Sequence, residues 1–129
     1  MIIQAETKGM VVSVKPEYLE EQSNPMHLNY VFMYTITIEN KSDYTVQLLR
    51  RHWFIFDSNG ENREVEGEGV IGETPVLAPG ETYTYNSGCN LTTEIGKMEG
   101  NYLMKNLLDN EHFMIRIPEF HLITPGKLN

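Results

Sequence analysis

Hydrophobic and polar residues alternate along several segments of this chain. The clearest alternation runs from Tyr30 to Ile38, where tyrosine, phenylalanine or isoleucine occupies every second position. A period of two is typical of a β-strand that buries one face. The same period recurs in three later segments, residues 83–85, 98–104 and 113–117. No segment carries a convincing helical repeat, so the pattern predicts an all-β chain.

The alternation changes phase in the segment around Trp53. Val46 and Leu48 would share one strand face, whereas Trp53 and Ile55 fall on the other. One extra residue in a strand, a β-bulge, changes which side chains point inward. We therefore predict a bulge near residues 50–52 that turns Trp53 toward the core.

Turn signals separate the alternating segments at intervals of about 8 to 12 residues. Short polar side chains at residues 40–43 predict a hairpin, and Asn59-Gly60 and Pro79-Gly80 favour tight turns. Seven or eight antiparallel strands at this spacing are typical of a β-sandwich of the immunoglobulin or fibronectin type III class. A barrel is the alternative. We predict a single domain over residues 1–129, with an ordered core at about 10–125.

Composition and charge limit the classes of function. The chain has 129 residues, 40% of them hydrophobic, which is enough for one buried core, and no apolar run approaches the ~20 residues that span a bilayer. The first residues lack the features of a secretory signal, and Cys89 is the single cysteine. We therefore expect a cytoplasmic protein without a membrane partner. The net charge of −8 would repel a polyanion, so we expect no nucleic-acid partner.

Three glycines, Gly67, Gly69 and Gly72, form the pattern G-x-G-x-x-G. In a dinucleotide site such glycines let the backbone approach a pyrophosphate at the N-terminus of a helix. Here no helix follows and acidic residues surround the glycines, so a loop between strands that needs positive dihedrals is the alternative interpretation. If the loop binds a pyrophosphate or a nucleotide, Arg51 or Arg63 would assist it.

Other candidate chemistry is sparse. Glu64, Glu66 and Glu68 would project from one strand face, where they could bind a hard cation or form a solvated acidic surface. The four histidines show no paired metal-ligand spacing, and Cys89 with His52 lacks an orienting third group. We therefore predict no catalytic residue, no metal site and no cofactor, and we expect that the chain is not an enzyme.

The most concentrated basic and aromatic segment contains Arg50, Arg51, His52 and Trp53. Strand alternation would place Arg50 and His52 on one face and Arg51 on the other. Two interpretations follow: a patch that binds an anion or a partner, and a structural bulge beside a core tryptophan.

Five segments of the chain occur in the order seen in a known family. They are YVFMYTITI at residues 30–38, VQLLRRHW at 46–53, GEGVIGE at 67–73, LAPGE at 77–81 and SGC at 87–89. The chain resembles the bacterial ApaG proteins over about residues 11–125. The resemblance implies a fibronectin type III-like sandwich, in agreement with the fold predicted from the alternation. It also implies a genetic association with cobalt or magnesium resistance or transport, and a protein-binding role like that of similar domains in eukaryotic F-box proteins.

Two functional hypotheses follow. The first is a non-catalytic module that binds a partner protein whose identity the sequence does not reveal. The second is a small-ligand protein that binds pyrophosphate, a nucleotide or a divalent cation through the loop from Gly67 to Gly72, with Arg50 and Arg51 as further ligand-binding candidates. A homodimer as the functional unit is a third alternative.

Overall fold

The computed structural model describes residues 1–126, which form nine β-strands joined by turns. The strands are β1 (Ile3–Thr7), β2 (Met10–Tyr18), β3 (Tyr30–Asn40), β4 (Val46–Asp57), β5 (Asn62–Glu68), β6 (Val76–Leu77), β7 (Thr82–Leu91), β8 (Ile95–Asn106) and β9 (His112–Ile123). A 3-10 turn at Pro25–His27 is the one helical segment in this range. Nowhere between residues 1 and 126 is there a helix long and apolar enough to cross a bilayer.

The strands form two antiparallel sheets that pack face to face. The first sheet has the order β1-β2-β3-β7, and the second has the order β5-β4-β8-β9, with the short β6 also paired to β4. The predicted all-β sandwich is confirmed. The segment before residue 10, which we placed outside the ordered core, forms β1 and pairs with β2 from Ile3↔Val14 to Thr7↔Met10. A strand of five residues carries too little alternation to stand out in the sequence.

The two long sides of the sandwich differ. On one side the sheets meet, because β1 and β2 pack against β9 and the Arg116 N–H donates a hydrogen bond to Thr7 Oγ1 at 3.2 Å. On the other side the edge strands β5 and β7 stand apart. The sandwich is therefore closed along one side and open along the other.

Aromatic rings fill the centre between the sheets. Tyr34 on β3, Trp53 on β4 and Phe120 on β9 are all buried. Their ring centroids lie 5.1 Å (Tyr34 to Trp53), 5.7 Å (Tyr34 to Phe120) and 5.9 Å (Trp53 to Phe120) apart. Aromatic pairs in such tilted or edge-on arrangements contribute about 0.5–1.5 kcal/mol beyond the burial of their area. The three rings tie the first sheet to the second.

A β-bulge sets the inward face of β4. The register of β4 against β8 shifts between Leu48 and Arg50, so that Leu49 is the extra residue. Leu48 and Trp53 are both buried although an odd number of positions separates them. The bulge is confirmed, one residue before the predicted segment, and so is the inward orientation of Trp53.

The turn after β3 does not form a hairpin. We expected residues 40–43 to join paired strands, but β3 and β4 belong to different sheets, so this expectation is wrong. The buried side chain of Asn40 accounts for the difference. Its Nδ2 donates to the carbonyls of Tyr44 at 2.8 Å and Leu77 at 3.0 Å, and its Oδ1 accepts from the Ser42 N–H at 2.9 Å. These bonds hold the chain as it crosses between the sheets.

Asp57, at the end of β4, anchors the turn between β7 and β8. Its Oδ2 accepts hydrogen bonds from the N–H and the Oγ1 of Thr92, both at 2.8 Å, and its Oδ1 accepts one from Thr93 Oγ1. Partial burial by itself would raise the pKa of the Asp57 carboxyl, but the hydrogen bonds to its charged form outweigh burial and lower that pKa below its ordinary value. The ionised carboxylate therefore stabilises the fold.

We expect Asp57→Asn to lower the free energy of unfolding by roughly 1 kcal/mol at pH 7, after allowance for solvent screening. Because the pKa is lower in the folded state, the carboxylate contributes this stability above its unfolded-state pKa and loses it as the pH falls through the folded-state pKa. The difference between wild type and variant should thus shrink as the pH falls from about 5 to about 2. Urea denaturation followed by the fluorescence of Trp53 measures it.

The matched control is Asp43→Asn, at an exposed position in a turn. It should change the free energy of unfolding by less than about 0.5 kcal/mol at pH 7. A difference for Asp57→Asn that is the same at every pH would contradict the role given to the ionised carboxylate.

Candidate functional site

The open side of the sandwich contains a cleft of about 410 Å³. Its walls come from β4 and β5 in one sheet and from β3 and β7 in the other, and Met98 of β8 and Val70 and Ile71 of the turn after β5 also line it. The volume falls within the range of about 300–1,000 Å³ that is common for small-ligand sites. The cleft is large enough for one small molecule or a few side chains of a partner.

Arg51 and Arg63 are the cationic groups of the cleft, and no carboxylate from residues 1–126 lines it. The remaining lining is aromatic, aliphatic or small and uncharged. The chain as a whole carries a net charge of −8, whereas the cleft is positively charged. Its electrostatics favour an anionic group.

The bulge at Leu49 places Arg51 inside the cleft. Beyond the bulge, Arg51 shares the inward face of β4 with Trp53. Its Nη1 donates to the backbone carbonyls of Glu68 at 3.1 Å and Gly69 at 2.9 Å. The guanidinium is thereby held against the loop that follows β5.

The three predicted glycines make room for this arginine and for the turn beside it. A Cβ atom at Gly67 would lie 3.0 Å from Nη1 of Arg51. Gly69 has a φ of +64°, and a Cβ atom there would lie 2.2 Å from the carbonyl oxygen of Glu73. Gly72, with a φ of +79°, forms part of the tight turn that ends at Glu73. Positive dihedrals and close contacts within the chain thus account for the glycine pattern.

Backbone amides of this loop are engaged within the protein. The Gly69 N–H donates to the carbonyl of Leu49 at 2.8 Å, and Val70 and Glu73 exchange two backbone hydrogen bonds at 2.8 and 2.9 Å. A phosphate cradle of the P-loop type requires amides that point at the ligand. An anion near this loop would instead contact the guanidinium of Arg51.

Arg50 does not join the cleft. It lies on the outer face of the second sheet with Nη2 4.0 Å from Oε1 of Glu66, and His52 on the same face has Nε2 3.5 Å from Oε2 of Glu64. The structure brings Arg51 to the three glycines and leaves Arg50 on the opposite face, as strand alternation predicted. Within residues 1–126, no set of three or more His, Cys, Asp or Glu side chains is placed to hold a metal ion.

Arg63 is the second cation of the cleft. Alternation along β5 directs Arg63 and Gly67 inward and the glutamates between them outward. Nη2 of Arg63 donates to the backbone carbonyl of Asn90 on β7 and lies 3.4 Å from Sγ of Cys89. Its side chain thereby spans the open side of the sandwich. From the sequence we gave Arg63 only an assisting role, although its even spacing from Gly67 carries the signal.

The tyrosine hydroxyls and the thiol that line or adjoin the cleft are held neutral. Burial raises the pKa of the Tyr85 hydroxyl and of Tyr102 behind it, and the two hydroxyls share a hydrogen bond of 2.5 Å. Burial also raises the pKa of the Cys89 thiol, although the neighbouring Arg63 opposes this effect. The thiol is therefore not activated, and His52, on the outer face of its sheet, does not adjoin it.

Comparisons with known proteins show the family of this chain. The profile of the ApaG domain matches residues 20–106. The chain belongs to the ApaG family. Protein ApaG of Brucella canis is 52% identical over 121 residues, which cover 94% of this chain and 92% of that protein. Protein ApaG of Methylorubrum extorquens is 47% identical over the same shares of the two chains.

A solved structure shows the same architecture. The crystal structure of the ApaA protein from Bordetella pertussis superposes with a TM-score of 0.87 at 44% identity, covering 91% of this chain and 94% of that chain. The segment matched by the ApaG domain includes β4, β5 and β7 in full. Arg51, Arg63 and Cys89 therefore lie within the segment matched by the ApaG domain, whereas β9, on the closed side, lies beyond that segment.

We expect Gly67→Ala to displace the guanidinium of Arg51, because the new methyl group would lie 3.0 Å from its Nη1. The displaced group is the end of a flexible side chain, so the thermal midpoint should change by only a few degrees, about 1 kcal/mol or less. The NMR signals of the Arg51 guanidinium should shift, and its protons should exchange faster with water.

Gly88→Ala is the matched control on the same cleft, since its Cβ atom would lie 3.5 Å from the Phe32 carbonyl oxygen, an ordinary contact. It should leave the Arg51 signals unchanged. Unchanged Arg51 signals in Gly67→Ala as well would show that the glycine does not seat the arginine.

Proposed function

We propose that this chain is a non-catalytic binding domain that recognises a partner protein through the cleft between β5 and β7. The observation that carries the proposal is the pair of guanidiniums, Arg51 and Arg63, in a cleft that no described carboxylate lines. Arginine is well suited to carboxylate and phosphate groups because its planar guanidinium presents five N–H donors. The group that enters the cleft is therefore anionic.

The two arginines are partly ordered before any ligand arrives. Arg51 uses Nη1 for both of its bonds to loop carbonyls, and Arg63 uses Nη2 for its bond to Asn90. Each guanidinium retains other N–H groups for a ligand. A side chain that the protein already holds loses less conformational entropy on binding, and the aromatic walls reduce the screening of its charge by water. Such a site binds an anion more tightly than freely moving surface arginines do.

The state of the neighbouring thiol supports binding rather than catalysis. Cys89 has a raised pKa because it is buried, so it is a poor nucleophile at neutral pH. We also propose that the domain works in the cytoplasm, where a single cysteine stays reduced, and that its sandwich is of the fibronectin type III-like class. A role in cobalt or magnesium resistance, which the resemblance to the ApaG family implies, would then be exercised through the partner protein.

A second candidate function uses the same cleft for a small anionic ligand such as pyrophosphate or a nucleotide. The volume of about 410 Å³ favours it. Since the Gly69 and Val70 amides are engaged in backbone hydrogen bonds, Arg51 and Arg63 would supply the contacts rather than the glycine loop alone. A divalent cation would enter this version only together with the phosphate oxygens.

We expect Arg51→Met and Arg63→Met each to reduce the capture of partner proteins from a native lysate by at least about tenfold. Removing one member of a desolvated charge pair costs more than the 1.4 kcal/mol that a factor of ten requires. Arg50→Met, which removes the adjacent arginine on the outer face, should retain the partners. Quantitative affinity capture with the full chain measures all three. Partners retained equally by Arg51→Met would contradict the proposal.

Calorimetry with inorganic pyrophosphate, ATP, Mg²⁺ and Co²⁺ separates the two candidates. Binding of pyrophosphate that Arg51→Met abolishes and Arg50→Met preserves would favour the small-ligand function. If these ligands release no heat at millimolar concentrations and partner capture depends on Arg51, the small-ligand function is excluded and the protein-binding function remains.

A further inference from the structure

The first sheet ends at β7, and the outer edge of β7 borders the cleft. β7 pairs with β3 along its whole length, from Glu39↔Thr82 to Tyr30↔Leu91, and no strand within residues 1–126 pairs with its other edge. An unpaired edge of this length offers a row of free N–H and C=O groups to another extended chain.

The hydrogen-bond pattern shows which backbone groups are free. The Asn40 N–H donates to the carbonyl of Glu81 at 3.0 Å, so the Glu81 carbonyl is directed toward β3, whereas the Glu81 N–H donates to the carbonyl of Ala78 in the preceding turn. Antiparallel ladders alternate, so the even-numbered residues of β7 direct their N–H and C=O groups away from β3. The carbonyl of Asn90 confirms this direction, because it accepts its hydrogen bond from Arg63 across the cleft. Thr84, Asn86 and Gly88 carry the remaining outward groups along the cleft.

The composition of β7 differs from that of the other edge strands. Residues 82–91 contain no Asp, Glu, Lys, Arg, His or Pro. Charges and prolines are the usual protection of an exposed edge against pairing. The edge strand β5 carries three glutamates, β9 carries Pro118 within its bulge, and β1 has only five residues. The long edge beside the arginine pair is the one without this protection.

We propose that the partner contributes an extended segment that pairs with the outer edge of β7 and places an acidic side chain between Arg51 and Arg63. The inference rests on the proposed function and names the chemistry of the partner. Backbone hydrogen bonds to Thr84, Asn86 and Gly88 supply pairing that does not depend on sequence, and the two guanidiniums select the acidic position. A second copy of this chain fits less well. Pairing of two β7 strands would bring two arginine-lined clefts close together, and it would join two chains that each carry a net charge of −8.

The test is selection of a displayed library of random octapeptides on the full chain. We expect recovered peptides to share one Asp or Glu at a fixed position, flanked by β-branched residues. Arg51→Met should lower the affinity of a recovered peptide at least tenfold. Replacing its acidic residue by the corresponding amide should lower affinity by a similar factor, and by much less on Arg51→Met, because both changes remove the same contact.

The edge is tested by Asn86→Pro, which removes an outward N–H that β3 does not use, with Asn86→Ala as the matched control. Asn86→Pro should lower the affinity of the recovered peptides at least tenfold, and Asn86→Ala should leave it within about twofold. If the proline variant does not fold, amide hydrogen exchange on the wild-type chain decides. The amides of Thr84, Asn86 and Gly88 should exchange at least tenfold more slowly with the peptide bound.

The outcomes separate this inference from the proposed function. Peptides that depend on Arg51 but leave the exchange of the β7 amides unchanged would overturn the strand pairing and leave the arginine cleft as the binding site. Peptides that bind Arg51→Met as well as wild type would overturn both. A dimer in light scattering that Asn86→Pro converts to a monomer would also overturn the inference, because the edge would then belong to a second copy.

Discussion

The buried face of β4 and the position of Arg51 in the cleft both depend on one extra residue in β4. Side chains in a strand alternate strictly between two faces, so the inward face is fixed unless the register shifts. Leu49 supplies the shift, which allows Leu48 and Trp53 to be buried on the same side. Arg51 is directed inward on the same face as Trp53, and Arg50 is directed outward. A shift in β9, opposite Glu99, similarly allows Ile117 and Phe120 to be buried together. Packing of the core and the charge of the cleft thus follow from the same local feature.

The glycine pattern in β5 and the loop after it serves the placement of Arg51 rather than that of a phosphate. In a nucleotide-binding loop, glycines keep side chains away from a phosphate. Here Gly67 keeps a side chain away from the guanidinium of Arg51, and Gly69 keeps one away from the carbonyl of Glu73. The absence of Cβ atoms serves the approach of a cation that belongs to the protein. In the proposed anion site, the loop would contribute indirectly, by holding the arginine.

Local pattern predicted the features that are local. The alternation of residues 30–38, the bulge and the inward Trp53 follow from a period of two, and the opposite faces of Arg50 and Arg51 follow from the same rule. The hairpin expected at residues 40–43 was wrong because turn residues do not say which sheet the next strand joins. Asn40 decides that through contacts with Tyr44 and Leu77, the latter 37 positions away. The meeting of Arg63 with Asn90 across the open side is equally a product of the packing of two sheets, so a single segment could not reveal it.

We propose that the bulge and the open side together turn Arg51 and Arg63 into one anion site, while Arg50 stays outside it. The chain has four arginines, so their guanidinium NMR signals can each be followed during a titration with inorganic pyrophosphate. We expect the signals of Arg51 and Arg63 to move together along one binding curve while that of Arg50 stays in place. Equal movement of all four signals, or movement of Arg50 alone, would contradict it.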